Sequence, residues 1–157
     1  MGNKTIIDGP AGLRALQGQP LGAGEWVTLR YEDIKAFADA TGDHQWIHVD
    51  RERCKRESPY GVPIAHGYFT VARIAGLFFE TVEVRGFPAV LNYGLNKVRF
   101  PSPLKEGARY RLVARMGELK DVPGALEAVF HATIEIENEP KPACAAEAVY
   151  RYLVPPS

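Results

Sequence analysis

Cysteine is scarce in this sequence, with only Cys54 and Cys144 among its 157 residues. The two form no CxxC pair, and they are too few for the disulfide framework of a small secreted domain. We therefore predict two free thiols and a cytoplasmic protein. A secretory signal is lacking as well, because the first ten residues, MGNKTIIDGP, contain no apolar core of the length that such a signal needs.

An excess of charge is also absent, since 19 basic and 19 acidic residues give a formal net charge of zero. Without a basic surface we predict no nucleic-acid partner. The longest apolar run, residues 68–79, is interrupted by Arg73 and is too short to cross a bilayer, so we predict no membrane partner. The four histidines show neither HExxH nor Cys/His spacing, so we predict no metal.

The first half of the chain carries helical patterns. Residues 8–17 and 31–40 predict two helices, the second of them ended by Gly42. Asp50 is typical of the N-cap of a further short helix that reaches about residue 57. Residues 68–80 predict a helix that is apolar nearly all round, and such a helix has to be buried on most sides.

The second half of the chain predicts strands. Three segments, 109–116, 126–137 and 144–152, alternate apolar and polar residues with a period of two, as half-buried antiparallel strands do. A fourth, 90–100, changes phase near Gly94, where we expect a bulge. A short strand at 26–30 follows a predicted loop that contains Pro20, Gly22 and Gly24. One apolar helix followed by an antiparallel meander predicts a single α+β domain over 1–157 with a hot-dog fold, the sheet wrapping around a long buried central helix. We expect residues 1–24 to form an N-terminal extension packed on it.

Asp43 and His48 are the residues most suited to acid–base chemistry. On a continuous helix, residues five apart point about 140° away from each other, so the backbone has to turn after Gly42 for the two to meet. An imidazole beside a carboxylate activates water well, because histidine titrates near neutral pH. Spacing alone favours an Asp43 that caps a turn and a His48 that is an ordinary loop histidine.

Gly67 precedes the apolar helix, and its backbone N–H could hold a carbonyl oxygen on which negative charge develops. Taken by itself, Gly67 favours the simpler interpretation that glycine permits the turn into that helix. His66, which comes before it, favours a packing or turn-stabilising role over catalysis.

The segment TGDHQWIHVD, followed by YGVPIAHGYFT, resembles the hydratase motif of MaoC-like dehydratases and R-specific enoyl-CoA hydratases. That motif has an aromatic residue, then a small residue with Gly-Asp, then an aliphatic-His pair. The residues that match it are Phe37, Thr41, Gly42, Asp43, Ile47 and His48. The sequence departs from the family at Gln45 and Trp46, where Asn-Pro is usual, and at Cys54. These departures, with NYGLNKVRFPSPL at 92–104, look like the nodulation-protein-N branch, and the resemblance covers about 25–153.

The resemblance implies a homodimer with an acyl-thioester tunnel near the subunit interface. Asp43 and His48 would activate the water and the Gly67 N–H would hold the thioester oxygen. The activity implied is reversible hydration of trans-2-enoyl-CoA to (R)-3-hydroxyacyl-CoA in fatty acid metabolism, with no cofactor beyond the CoA of the substrate. We expect the substrate to be contacted by Gln45, Trp46, His66, Tyr68, Asn92, Tyr93 and Gly94.

Two alternatives remain open. One is an acyl-CoA thioesterase on the same fold, although the predicted central helix offers only Glu80, at its far end, as a carboxylate. The other is a non-catalytic acyl-CoA binder or partner subunit, against which the presence of both Asp43 and His48 argues.

Overall fold

The structure is a computed structural model that describes residues 4–155, so residues 1–3 and 156–157 of the predicted domain lie outside the described residues. The first half of the chain contains, in order, β1 (Thr5–Asp8), α1 (Gly9–Ala15), β2 (Pro20–Ala23), β3 (Val27–Thr28), α2 (Tyr31–Thr41), α3 (Trp46–Val49) and α4 (Arg51–Glu57). The second half contains α5 (Gly67–Thr81), β4 (Val82–Arg85), β5 (Val90–Arg99), β6 (Arg109–Val122), β7 (Ala125–Ile136) and β8 (Cys144–Leu153).

The main sheet is antiparallel and has the order β2-β6-β7-β8-β5, with β3 also paired to β6. Its three long central strands form the predicted meander. Apolar residues recur at every second position and point to one face, as the period of two requires. Strand β5 closes one end of this order and is therefore an edge strand.

Helix α5 lies against the apolar face of the sheet and contacts β2, β6, β7 and β8. Its buried side includes Phe69, Ile74, Leu77 and Phe78. The Phe78 ring meets the ring of Phe130 on β7, with centroids 4.9 Å apart. The predicted α+β arrangement of a sheet around a central helix, the hot-dog fold, is confirmed.

One side of the central helix is more open than we expected. Tyr68, Ala72, Gly76 and Phe79 are exposed, and Tyr68 retains 75% of its accessible surface. Apolar composition alone cannot tell a side covered by the same chain from a side left open. Within the described residues, none of the helices is both long and apolar enough to cross a membrane.

Several local predictions are confirmed. Helices over 31–41, 51–57 and 67–81 match the patterns, and the Asp50 side chain accepts a hydrogen bond from the Arg53 N–H (2.9 Å) as an N-cap should. Strand β5 changes register between Asn92 and Gly94, where we expected a bulge. Cys54 and Cys144 are both free and buried.

Other local predictions are wrong or incomplete. Residues 20–23, which we expected to be a loop, form strand β2 on the edge of the sheet, where proline is tolerated because no ladder hydrogen bond is needed on its outer side. Strand β1 pairs in parallel with β4, a contact between distant segments that no local pattern indicates. Helix α3 was also not predicted, because four residues are too few for a helical period to be seen.

Candidate active site

The chain turns sharply between α2 and α3, and this turn brings Asp43 toward His48. Gly42 ends α2 in the left-handed conformation, with φ at 79°, which glycine adopts without steric cost. The Asp43 carboxylate then accepts a hydrogen bond from the Gln45 N–H (3.2 Å), and the His48 N–H donates to the Gln45 carbonyl (3.0 Å). The turn expected after Gly42 is therefore confirmed.

The His48 imidazole is held in one tautomer. Its Nδ1 lies 2.7 Å from the backbone carbonyl oxygen of Ile64, and because a carbonyl only accepts, Nδ1 carries the proton. The Ile64 N–H in turn donates to the Ile47 carbonyl (3.1 Å), which ties the two segments together. The Nε2 atom of His48 is left with a free lone pair, as a general base requires.

Burial favours the neutral form of this ring. His48 retains 6% of its accessible surface, and burial lowers its pKa below the ordinary value of 6.5, although the bond to the Ile64 carbonyl opposes the shift. The imidazole is thus neutral and basic at neutral pH.

His66 packs directly on His48, with ring centroids 3.7 Å apart and the planes inclined by 23°. Its Nε2 lies 2.9 Å from the backbone carbonyl oxygen of Asp43, to which it donates. The other nitrogen, Nδ1, is buried and has no hydrogen-bond partner within residues 4–155. The His66 ring thus connects the Asp43 turn to the start of α5, which is the packing role that the sequence favoured. The predicted contact of His66 with substrate stays a prediction.

Asp43, His48 and His66 together could also hold a metal ion. Each offers one donor atom, and the three atoms lie within 4.8 Å of one another. A search by sequence spacing misses this set because it is assembled from two segments. One nitrogen of each histidine is already bonded to a backbone carbonyl, at Ile64 and at Asp43.

Gly67 is the first residue of α5, and His66 is its N-cap. The first N–H groups of a helix have no acceptor within it, so they are available to a ligand oxygen at the positive end of the helix dipole. A Cβ atom at Gly67 would lie 2.8 Å from the Phe100 ring, which is closer than such contacts occur. Packing against Phe100 therefore explains why position 67 is a glycine, beside its predicted role in binding an oxyanion.

The other predicted contact residues lie in two places. Gln45 is exposed at the start of α3, Trp46 is half-buried beneath the Arg53 guanidinium (4.3 Å from Cζ to the ring centroid), and Tyr68 stands edge-on to Phe100. Asn92, Tyr93 and Gly94 instead line a groove of about 250 Å³ beside the middle of α5, at 71–75.

We expected Asn92, Tyr93 and Gly94 beside the N-terminus of α5, but the C-terminal end of β5 lies there instead. Phe100, just after this strand, is the residue that meets Gly67. Because β5 extends well beyond one helical turn, its first residues lie farther along the helix than its last. Contact of these three residues with substrate stays a prediction.

Sequence reasoning missed two residues at the site. Ile64 fixes the tautomer of His48 through a backbone carbonyl, which no side-chain pattern reveals. Phe100 limits the space at Gly67, and it comes into contact only through the pairing of β5 with the sheet.

The hot-dog domain thus brings a neutral histidine and a carboxylate close to the N-terminus of its central helix. In a comparison with known families, residues 14–137 match the MaoC like domain. The chain belongs to the MaoC-like dehydratase family, as the motif indicated.

Curated relatives agree with this assignment. The chain is 44% identical over 144 residues to 3-hydroxyacyl-thioester dehydratase Z of Mycobacterium tuberculosis, covering 91% of this chain and 95% of that protein. It is 45% identical over 132 residues to nodulation protein N of Rhizobium leguminosarum bv. viciae, covering 82% and 81%. Among solved structures, the unliganded R-hydratase PhaJ1 of Pseudomonas aeruginosa shares the fold, with a TM-score of 0.72 at 19% identity over 88% of this chain and 83% of that one.

Proposed function

We propose that the protein catalyses the reversible hydration of trans-2-enoyl-CoA to (R)-3-hydroxyacyl-CoA. The observation that carries the proposal is the His48 imidazole, whose Nδ1 is bonded to the Ile64 carbonyl, so that Nε2 keeps its lone pair, and which has a nitrogen within 4.8 Å of an Asp43 carboxylate oxygen. A close relative is named as a 3-hydroxyacyl-thioester dehydratase, which supports the reaction class. The R configuration and the CoA carrier rest on the motif and on the shared fold of the R-hydratases.

In the hydration direction, His48 Nε2 takes a proton from water as the water oxygen adds to C3. Asp43 orients the same water, since its carboxylate lies within 4.8 Å of the histidine donor atoms. Electron density moves to the thioester oxygen, where the Gly67 N–H and the helix dipole stabilise it. The proton is then delivered to C2, so that one water molecule has been added across the double bond and the imidazole is neutral again.

The reaction needs no cofactor beyond the CoA of the substrate. Addition to an enone thioester calls for a base and an oxyanion site, and His48 with the Gly67 N–H supplies both. We therefore expect EDTA to leave kcat/KM unchanged, although Asp43, His48 and His66 could hold a metal. Activity that EDTA removes and added Zn²⁺ restores would contradict this part of the proposal.

We also propose that the protein is cytoplasmic, since free thiols persist there. We further propose that two copies of the chain assemble through β5. Leu91, Tyr93 and Leu95 on this edge strand retain 48%, 58% and 45% of their surface, an unusual apolar exposure for an edge. Sedimentation velocity should give twice the 17.4 kDa mass of the chain. A Leu95→Lys variant should shift the protein toward the monomer, and a wild type that sediments as a monomer would contradict the assembly.

A thioesterase remains the second candidate on this fold. It would need a carboxylate to activate water for attack at the thioester carbon. The central helix offers Glu80 alone, which is exposed in its last turn and far along the helix from Gly67. This placement favours the hydratase.

The test follows crotonyl-CoA, whose enone thioester absorbance disappears on hydration, together with a reagent for free thiol. We expect the absorbance to fall with no thiol released and the product to be (R)-3-hydroxybutyryl-CoA. Thiol release would instead identify a thioesterase. If neither signal changes for crotonyl-CoA or a longer enoyl-CoA, the protein is a binder or partner subunit and the hydratase proposal is wrong.

A further inference from the structure

A second groove, of about 490 Å³, lies between α2 and α5 on the side of the central helix away from β5. The residues that matter along it are Arg30, Asp33, Phe37, Phe69, Arg73 and Tyr110. It adjoins the candidate active site, because the Phe37 ring lies against both His66 (centroids 5.1 Å apart) and Phe69 (5.7 Å apart). A ligand in this groove is thus separated from the catalytic turn by one aromatic side chain.

Arg73 is the one cationic residue of helix α5, whose one other charged residue, Glu80, lies in the last turn. Its Nε donates to the hydroxyl of Tyr110 (3.1 Å), and Tyr110 itself is buried in the core. A guanidinium has five N–H donors. Among residues 4–155 no carboxylate lies within ion-pair distance of Arg73, which lines the groove, so its N–H donors other than Nε have no protein partner.

The other charged groups of the groove are already paired. Arg30 binds the Asp33 carboxylate through both Nε and Nη2, at 3.0 and 2.5 Å. This pair, with Arg30 as the largest cause, keeps the pKa of Asp33 below its ordinary value, and burial raises the pKa of Tyr110, so the carboxylate is charged and the phenol neutral. Arg73 also acts on Asp33 through its charge, but makes no ion pair with it, so Arg30, Asp33 and Arg73 together leave the groove with one net positive charge.

The position of this charge relative to Gly67 sets the length of a ligand that could reach both. Arg73 comes six positions after Gly67, so their Cα atoms are about 9 Å apart along the helix axis. A group at that distance from a thioester carbonyl lies within an acyl chain of moderate length. Arginine suits such a group because its planar fork pairs with two oxygens of a carboxylate or phosphate.

We propose that Arg73 is a specificity-determining residue that binds an anionic oxygen group of the thioester substrate. The distance from Gly67 to Arg73 along the helix favours a carboxylate at the far end of the acyl chain as the group that Arg73 binds. A phosphate of the CoA carrier is the other anionic oxygen group that the substrate offers. This inference rests on the proposed function, because it takes the substrate to be an acyl thioester with its carbonyl at Gly67.

The test measures binding of saturated ligands, which cannot be hydrated, so it does not depend on hydratase activity. Isothermal titration calorimetry compares adipoyl-CoA, hexanoyl-CoA and hexanoyl-pantetheine on wild type and Arg73→Gln. Losing a charge-assisted hydrogen bond should weaken binding about 10-fold or more. Weakening confined to adipoyl-CoA identifies the acyl carboxylate, and weakening of both CoA ligands but not the pantetheine thioester identifies a carrier phosphate.

Three further variants serve as controls for this result. Arg85→Gln removes the same charge from an exposed ion pair on β4 and should change no ratio between ligands. Arg73→Lys should recover part of the affinity that Arg73→Gln loses. Tyr110→Phe keeps the charge of Arg73 but removes the hydroxyl that accepts its hydrogen bond, so it should weaken binding of the ligand that Arg73→Gln affects, by a smaller factor. Equal weakening of all three ligands by Arg73→Gln, no weakening at all, or an equal effect of Arg85→Gln would overturn the proposal.

Discussion

The candidate catalytic segment, residues 42–67, differs from the meander of β6, β7 and β8 in what its contacts do. The meander buries alternate side chains, and its core residues, such as Leu112, Phe130 and Tyr152, have almost no accessible surface. The candidate catalytic segment is short and irregular, and its contacts orient polar groups: His48 on the Ile64 carbonyl, His66 on the Asp43 carbonyl. We therefore expect stability to depend mainly on the sheet and the proposed chemistry mainly on the segment, so variants in each should affect mainly one of the two.

The largest expected effect is on stability, from Phe130→Ala in the meander. Phe130 retains 1% of its surface and contacts Phe78, Tyr150 and Tyr152, so truncation leaves a cavity in the core. We expect a loss of about 3–5 kcal/mol in the free energy of unfolding, measured by urea denaturation. Activity per folded molecule should change little, and a loss of activity without a loss of stability would contradict the division between sheet and segment.

The next largest effect is expected from Gly67→Ala in the candidate catalytic segment. The added methyl group meets the Phe100 ring at 2.8 Å and also hinders approach of a ligand oxygen to the N–H. Removing one oxyanion donor typically costs about 10²–10³ in kcat, and we expect a loss of that order.

The double variant Gly67→Ala with Phe100→Ala separates the two causes. It relieves the contact with the ring but leaves the methyl group beside the N–H, so activity should stay low. Recovery to the level of Phe100→Ala alone would mean that Gly67 serves packing and does not bind the thioester oxygen.

A smaller effect is expected from acid. Because burial lowers the pKa of folded His48 below 6.5, the base stays neutral at pH 6.5 and the acid limb of kcat/KM should lie below that value. The unfolded chain binds the proton at a higher pH than the folded chain does. The stability associated with neutral His48 is thus present above pH 6.5 and is lost as the pH falls through the lowered pKa.

Urea denaturation of wild type and His48→Gln across this range isolates the contribution of His48. The stability of the wild type should fall more steeply below pH 6.5 than that of the variant. Parallel curves for the two proteins would show that His48 does not titrate with a lowered pKa.

The difference between the regular meander and the irregular segment also determined what could be predicted from the sequence. The meander has a strict period of two, and the αL turn at Gly42 was required if Asp43 and His48 were to meet, so both were predicted correctly. The stacking of His48 on His66 and the contact of Phe100 with Gly67 join segments that are distant in the chain. No local propensity encodes such contacts, and they depend on the pairing of β5 with β8 and on the path of residues 63–66.

The most direct test of the account compares wild type with Asp43→Asn and His48→Gln in crotonyl-CoA hydration, with circular dichroism to show that each variant is folded. If His48 Nε2 is the base and Asp43 orients the water, both variants should lose activity by about 10²–10⁴ while their unfolding midpoints stay close to that of wild type. Two folded variants that hydrate crotonyl-CoA as fast as wild type would contradict the account.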